Sequence, residues 1–279
     1  INAQIMFLVL HASGLTLIPI SIIAMRAAVK PPAANPTDIF IPCMIATFAA
    51  TVAALIIVSI KQKINLLQPV ILGWVLGISA IIGGLIAYMK IFLDQAGIEK
   101  FSTLLSNGLI LLIFLAFLLG ALWKKVNVFE SFIDGAKGGF EVAVRIIPYL
   151  VAMLVAISVL RTSGAFDFIL SGFSAFFSAL GFNTDFVAAL PTALMKPLSG
   201  SGSRGMMIDA MTKYGADSFA GRLSAVFQGS SDTTFYVVAV YFGSVGVKNT
   251  RYSIPAMLMA DLVGIITAVI VAYMFFGNT

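Results

Sequence analysis

Residues 219–247 read FAGRLSAVFQGSSDTTFYVVAVYFGSVGV. The stretch is long enough to cross a bilayer, which takes about 20 apolar residues in an α-helix. Its ends are apolar, but Gln228-Gly-Ser-Ser-Asp232-Thr-Thr234 interrupts the middle. Non-helical backbone survives at membrane depth only where protein or a water-filled cavity surrounds it. The stretch therefore reads as a transmembrane helix broken at a polar centre. The nearest charges flanking Asp232 are Arg222 and Lys248. A carboxylate at the bilayer centre costs about 2.5–3.5 kcal/mol on insertion scales. Asp232 thus either serves a ligand, cation or proton, or is neutralised by an internal partner such as Lys196 or Arg222. Gln228, Ser230, Ser231, Thr233 and Thr234 add donors and acceptors within two turns.

The composition around this stretch agrees with a bilayer. Hydrophobic residues make up 60% of the chain, charged residues 10%, and the mean hydropathy is +1.04. Soluble domains carry roughly 25% charged residues, and a chain with so few could not cover its own surface in water. The net charge is +5. The basic residues sit singly or in pairs at the ends of apolar runs, which fits cytoplasmic loops and argues against nucleic acid as a partner. The single cysteine, Cys43, excludes an internal disulfide. The chain opens at Ile1 inside an apolar stretch, with no charged leader segment and no cleavage site. It is expected to be the C-terminal part of a longer protein.

Outward from the broken helix, apolar runs at Ile39–Ile60, Leu66–Met89, Leu104–Trp123, Val142–Leu160 and Tyr252–Phe276 predict further spans. A polar loop carrying Lys90, Asp94, Glu99 and Lys100 is expected between the second and third. Phe129–Phe140 reads as a separate amphipathic segment, and Ala165–Phe182 as an interfacial one. Phe186–Leu198 is too short to cross. It leads into Ser199-Gly-Ser-Gly-Ser203, read as a polar loop, and a second short helix to about Tyr214. That pattern predicts a re-entrant hairpin. Lys61/Lys63 and Lys124/Lys125 are separated by two spans and define a cytoplasmic side; Lys248 and Arg251 join it, and the C-terminus falls outside.

An internal repeat links the two ends of the chain. Leu8-Val-Leu-His-Ala-Ser-Gly-Leu-Thr16 matches Ala225-Val-Phe-Gln-Gly-Ser-Ser-Asp-Thr233, with Ser13 opposite Ser230. Asn35 through Ile41-Pro42 likewise matches Asn249 through Ile254-Pro255. A broken helix, a polar turn and an Ile-Pro-led span thus occur twice. In the topology above the two Ile-Pro spans run in opposite directions, and inverted repeats with broken helices are a transporter feature. The fold class expected is an all-α polytopic membrane protein with transporter-like inverted repeats, broken helices and a re-entrant hairpin. The two breaks, at Ser13–Thr16 and Gly229–Thr233, are expected to meet.

Lys196-Pro-Leu-Ser-Gly-Ser-Gly-Ser-Arg-Gly205, Gln228-Gly-Ser-Ser-Asp-Thr-Thr-Phe-Tyr236 and Tyr241-Phe-Gly-Ser-Val-Gly246 resemble the spore maturation protein B family. Gly14-Leu-Thr-Leu-Ile-Pro19 and Ala34-Asn-Pro-Thr-Asp38 are similar to the C-terminal part of spore maturation protein A. The resemblance implies a fusion: an A-like half over 1–125, lacking its front, and a B-like half with the gate domain over 126–279. Both groups fall in the nucleoside recognition (gate) family, with concentrative nucleoside transporters and the membrane part of ferrous iron transport protein B. This implies a transporter-type fold in a multi-pass protein of the bacterial inner (cytoplasmic) membrane, and names no substrate.

Other residues extend the candidate site. Ser199, Ser201 and Ser203 offer hydroxyls beside glycines that permit close backbone approach, or else pack helices tightly. Gly200-Ser-Gly202-Ser-Arg-Gly205 fits a dinucleotide fingerprint only formally, because no strand precedes it. Lys196 is read as an anion ligand, a partner of Asp232, or a cation snorkelling to the interface. His11 stands at the repeat position of Gln228 and either couples protons or packs. Ser13 and Thr16 mark the first break. Asp261 is read as structural. One histidine and one cysteine support no metal site and no catalytic constellation, so no enzyme and no cofactor is expected. A Na+ or H+ coupling ion suits the site. The expected function is binding of a small polar solute or ion near the bilayer midplane; a non-transporting scaffold or signalling partner in envelope or spore maturation is the alternative. Expected partners are the bilayer, the solute, the preceding part of the same protein, and further copies of the chain.

Overall fold

The computed structural model describes residues 2–16, 19–93, 95–244 and 249–277. All regular structure among them is helical. Helix α1 (Asn2–Ala12) and α2 (Ile20–Ala28) precede the long α3 (Phe40–Gln62). Next come α4 (Pro69–Phe92), α5 (Gln95–Trp123), α6 (Val128–Thr162) and α7 (Ala165–Ala179). A 3-10 turn (Asp185–Ala189) leads into α8 (Leu190–Met195) and α9 (Gly200–Tyr214). The chain then forms α10 (Phe219–Gly229), α11 (Thr234–Ser244) and α12 (Ser253–Phe276).

The centre is the antiparallel pair α3 and α12. Ala54 and Val58 share an apolar cluster with Ala256, Met257 and Ala260. Ile39, Cys43 and Ala46 share another with Ala268, Ala272 and Phe276. The chain directions therefore oppose. Small residues at four-residue spacing, Ala46, Ala50 and Ala54 against Ala260, Gly264, Ala268 and Ala272, let the backbones approach closely. A Cβ on Gly264 would lie 3.2 Å from that of Ala50. Helices α1 and α10 flank this pair, α1 against α3 and α10 against α12.

Helices α4–α6 present Leu, Phe, Ile and Trp side chains outward, with Leu111, Phe114, Phe117 and Trp123 of α5 among them. Water would not tolerate so large an apolar face, and lipid does. Among the described residues, three helices are long and apolar enough to cross a membrane: α3, the Thr103–Trp123 part of α5, and α12. The protein is an α-helical membrane protein. Helices α3 and α5 stop in the same way. Lys63 and Lys125 take left-handed conformations (φ 56° and 55°), and the next N–H turns back to Ser59 O and Ala121 O at 2.9 Å. Such a cap satisfies carbonyls that a helix end otherwise leaves open.

Three sequence expectations are corrected. The loop expected over Lys90–Lys100 is helical on both sides: Lys90 belongs to α4, Glu99 and Lys100 to α5, and Asp94 lies outside the described residues. Phe129–Phe140 and Val142–Leu160 are one helix, α6, with Pro148 inside it. At 1.5 Å per residue its 35 residues reach about 52 Å, well beyond the hydrocarbon core. Finally, the serine–glycine stretch is no loop. Ser199 caps α9 by accepting the Gly202 N–H at 3.1 Å, and Gly200–Ser203 form the first turn of that helix. The chain turns one step earlier, over Lys196–Ser199.

Candidate functional site

Both helices end where polar residues interrupt them: α1 at Ala12, and α10 at Gly229. The two ends meet. The Asp232 N–H donates to Ala12 O at 2.7 Å, so the two breaks share a backbone hydrogen bond. Each break is also held by the long helix beside it. At the first, the Thr51 hydroxyl donates to Ser13 O, and Thr47 Oγ1 accepts the Thr16 N–H at 3.1 Å. At the second, the Thr234 hydroxyl donates to Asp261 Oδ2 at 2.6 Å, and Gly264 lies against Ser230 O. Ser13 and Ser230 direct their own hydroxyls back to Val9 O and Phe227 O.

The turn before α9 closes on the second break. Lys196 is buried, and its ammonium donates to Gln228 O at 2.6 Å. Pro197 O accepts the Phe235 N–H at 3.1 Å. A Cβ on Gly200 would stand 2.8 Å from Thr233 Oγ1, so the glycine lets α9 approach Thr233 without displacing its side chain. Ser203 is buried and donates to Thr192 O. Ser201 lies 3.3 Å from the Ser199 hydroxyl.

Asp232 is exposed in the protein itself and makes no ion pair among the described residues. Its Oδ1 accepts the Thr233 N–H at 2.8 Å, at the start of α11. Neither proposed internal partner neutralises it directly. Arg222 pairs with Asp38 instead, Nε to Oδ2 at 2.8 Å. Lys196 feels the charges of both Asp232 and Asp261 but bonds to a carbonyl. The interfacial reading of Lys196 is also replaced, since its head lies inside the protein.

Asp261 belongs to the centre rather than to packing alone. It is buried, Thr234 donates to one oxygen, Ser231 lies beside it, and Oδ1 has no hydrogen-bond partner. The Gln228 side-chain oxygen is likewise buried without one. Sequence signalled Asp261 only as an acid within a span. His11, next to Ala12 at the end of α1, is exposed in an aromatic group. Its Nε2 is 3.1 Å from the Tyr241 hydroxyl, and Phe7 stacks on its ring at 5.8 Å.

A second cluster was missed in the sequence. Arg26 is fully buried and bonds Ala216 O (2.7 Å), Asp38 Oδ1 (2.9 Å), Asp217 Oδ1, Asn35 O and Pro36 O. Asp217 Oδ2 in turn accepts the Ala34 N–H at 2.8 Å. Burial pushes the Asp38 carboxyl up, and the guanidiniums of Arg26 and Arg222 oppose that shift.

Between the two clusters lies Gly229. A Cβ there would stand 2.8 Å from Cys43 Sγ and 3.1 Å from Ile22 Cδ1. Gly229→Ala is expected to cost about 1–2 kcal/mol through overpacking, read as a lower melting temperature in detergent. Cys43→Ala in the same background should recover most of it.

Fold and site together define a helical membrane protein whose helices break around a shared polar centre. The nucleoside recognition (gate) family profile matches residues 143–248, which include the turn at Lys196 and the second break. Spore maturation protein B of Bacillus subtilis (strain 168) is 47% identical over 174 residues, which is 62% of this chain and 96% of that protein. The chain belongs to the spore maturation protein B family. No solved structure matches it.

Proposed function

We propose that the chain binds a small polar solute or ion where its two broken helices meet, as part of a multi-pass, transporter-like protein of the inner membrane. The observation that carries this reading is the Asp232 N–H to Ala12 O bond, which joins two helix interruptions at one point. Helix ends concentrate unsatisfied carbonyls and N–H groups, the parts from which such sites are made. Beside them stand a buried ammonium, an exposed carboxylate, and buried oxygens of Gln228 and Asp261 that lack partners. Buried unpaired acceptors are rare in folded proteins and suit a ligand, a coupling Na+ or a proton.

The inverted repeat has support in the same geometry. Thr51 and Gly264 are equivalent under the Ile-Pro register, Ser13 and Ser230 under the polar register. Thr51 contacts Ser13 O, and Gly264 lies against Ser230 O. We read the turn over Lys196–Ser199, set between the short helix α8 and α9, as the tip of a re-entrant hairpin in the B-like half (126–279), with residues 1–125 as the A-like half. No catalytic role is assigned to either.

Thermal stabilisation of the protein in detergent by ions, nucleosides and nucleotides tests the reading. Asp232→Asn keeps an oxygen for the Thr233 N–H, so its melting temperature should stay near wild type, within about 0.5 kcal/mol in stability. The same change should weaken the stabilising ligand tenfold or more. A panel in which nothing binds, or unchanged binding in Asp232→Asn, overturns the role of this centre and favours a scaffold.

A further inference from the structure

We propose that the buried Arg26–Asp38–Arg222–Asp217 cluster is a clasp that closes the polar centre from one end of the molecule and opens by taking up water. The proposal deepens the reading above, since what it regulates is access to the centre between the broken helices.

The clasp joins several separate segments rather than lying within one element. Arg26 lies on α2, just after the first break. Asp38 precedes α3, Asp217 lies in the turn before α10, and Arg222 sits in the first turns of α10, which leads to the second break. The Arg222 guanidinium also lies over the Phe276 ring, 5.1 Å from its centroid, at the end of α12. Segments at α2, α3, α10 and α12 at this end are therefore tied to one set of charges.

Among the described residues, the opposite end is built differently. There Ile5 and Val9 of α1 pack on Val237 and Phe242 of α11 in an apolar cluster. Under the internal repeat this contact corresponds to that of α10 with α2. An apolar contact gains nothing from water, whereas separated charges recover their hydration. A buried ion pair is thus a poor stabiliser compared with apolar packing, but a joint with two workable states, dry and paired or wet and apart. Water also has an entry point. The Asp217 side chain is 36% exposed, while Arg26 is at 0% and Asp38 at 6%.

Cys43 reports on the space behind the clasp. It lies one turn into α3 beyond Asp38, is fully buried against Gly229, and feels the charges of Arg26, Asp38 and Lys196. No other cysteine competes for a label. The experiment is the rate at which a small neutral maleimide labels Cys43 in the full chain in lipid nanodiscs. Arg26→Gln separates opening from local electrostatics. Loss of a nearby cation disfavours the reactive thiolate, so electrostatics alone slows labelling, whereas opening accelerates it. Labelling is expected to rise at least tenfold in Arg26→Gln and several-fold in Asp217→Asn. Asp217→Asn leaves the Arg26–Asp38 pair in place and carries the test if Arg26→Gln does not fold. Val9→Ala, which loosens the opposite end, serves as the control for general destabilisation. Unchanged or slower labelling in the folded clasp variants overturns the proposal. So does an equal rise in Val9→Ala at the same loss of melting temperature. Because the readout is access and not binding, failure here leaves the ligand reading intact, and failure of the ligand panel leaves this test readable.

Discussion

Arg26→Ala should cost the protein about 3–5 kcal/mol, the usual loss when one member of a buried charge network is removed. The change strands Asp217 beside the Ala34 N–H and leaves Asp38 with Arg222 alone. Ala216 O, Asn35 O and Pro36 O also lose their donor. Much of a small domain's stability, about 5–15 kcal/mol in all, would go with one side chain. Poor expression and an early melt in detergent are the expected results. Arg26→Lys supplies charge without the planar fork and should recover only part of the loss. The origin can be separated with Arg26→Met. If stranded charge dominates, adding Asp217→Asn to Arg26→Met should raise the melting temperature. Additive or worse behaviour would place the cost in lost packing instead.

Gly221→Ala is the second large effect, at about 3 kcal/mol, the upper end for overpacking. A Cβ at this position would lie 2.2 Å from Gly215 O and 3.1 Å from Ala216 O. Both are backbone atoms, so no flexible side chain can move aside. Nor can the turn shift freely. Gly215 holds φ at 97°, Ser218 donates to Gly215 O at 2.8 Å, and the Gly221 N–H donates to Ser218 Oγ at 3.0 Å. Ala216 O is the acceptor of the shortest Arg26 bond in the clasp. Relief of the clash would therefore pull on the charged network. A lower melting temperature, with faster Cys43 labelling, is the expected pair of readouts. A variant that melts like wild type would mean that the turn relaxes without disturbing Arg26.

Much of the architecture was legible because a bilayer simplifies the code. Long apolar runs at Ile39–Ile60, Leu104–Trp123 and Tyr252–Phe276 have no soluble interpretation, and the structure places helices α3, α5 and α12 there. The two helix interruptions were legible for the same reason. Polar groups amid apolar runs are costly unless they meet one another, and the shared bond between Asp232 and Ala12 lies where the two polar stretches end their helices.

Other features depended on partners that no local pattern names. Ser199-Gly-Ser-Gly-Ser203 has the composition of a loop, yet it begins a helix. The serine caps the first turn, and Gly200 lets α9 press against Thr233, a neighbour more than thirty residues away. The Phe129–Phe140 and Val142–Leu160 segments differ in polarity but join as one helix, because a change of environment along α6 does not require a change of backbone. Arg26, Asp38, Asp217 and Arg222 stand up to 196 positions apart and form one network only after α2 and α10 are brought side by side.

By itself the sequence determined the solvent, the helical class and the two polar interruptions that end α1 and α10, since each follows from the hydration of side chains and backbone within a few turns. The tertiary structure alone decided which charges pair, that Arg222 answers Asp38 and not Asp232, that Lys196 bonds a carbonyl, and that Asp261 faces the second break. Those outcomes rest on desolvation and hydrogen-bond geometry between distant segments, which are set only when the helices pack.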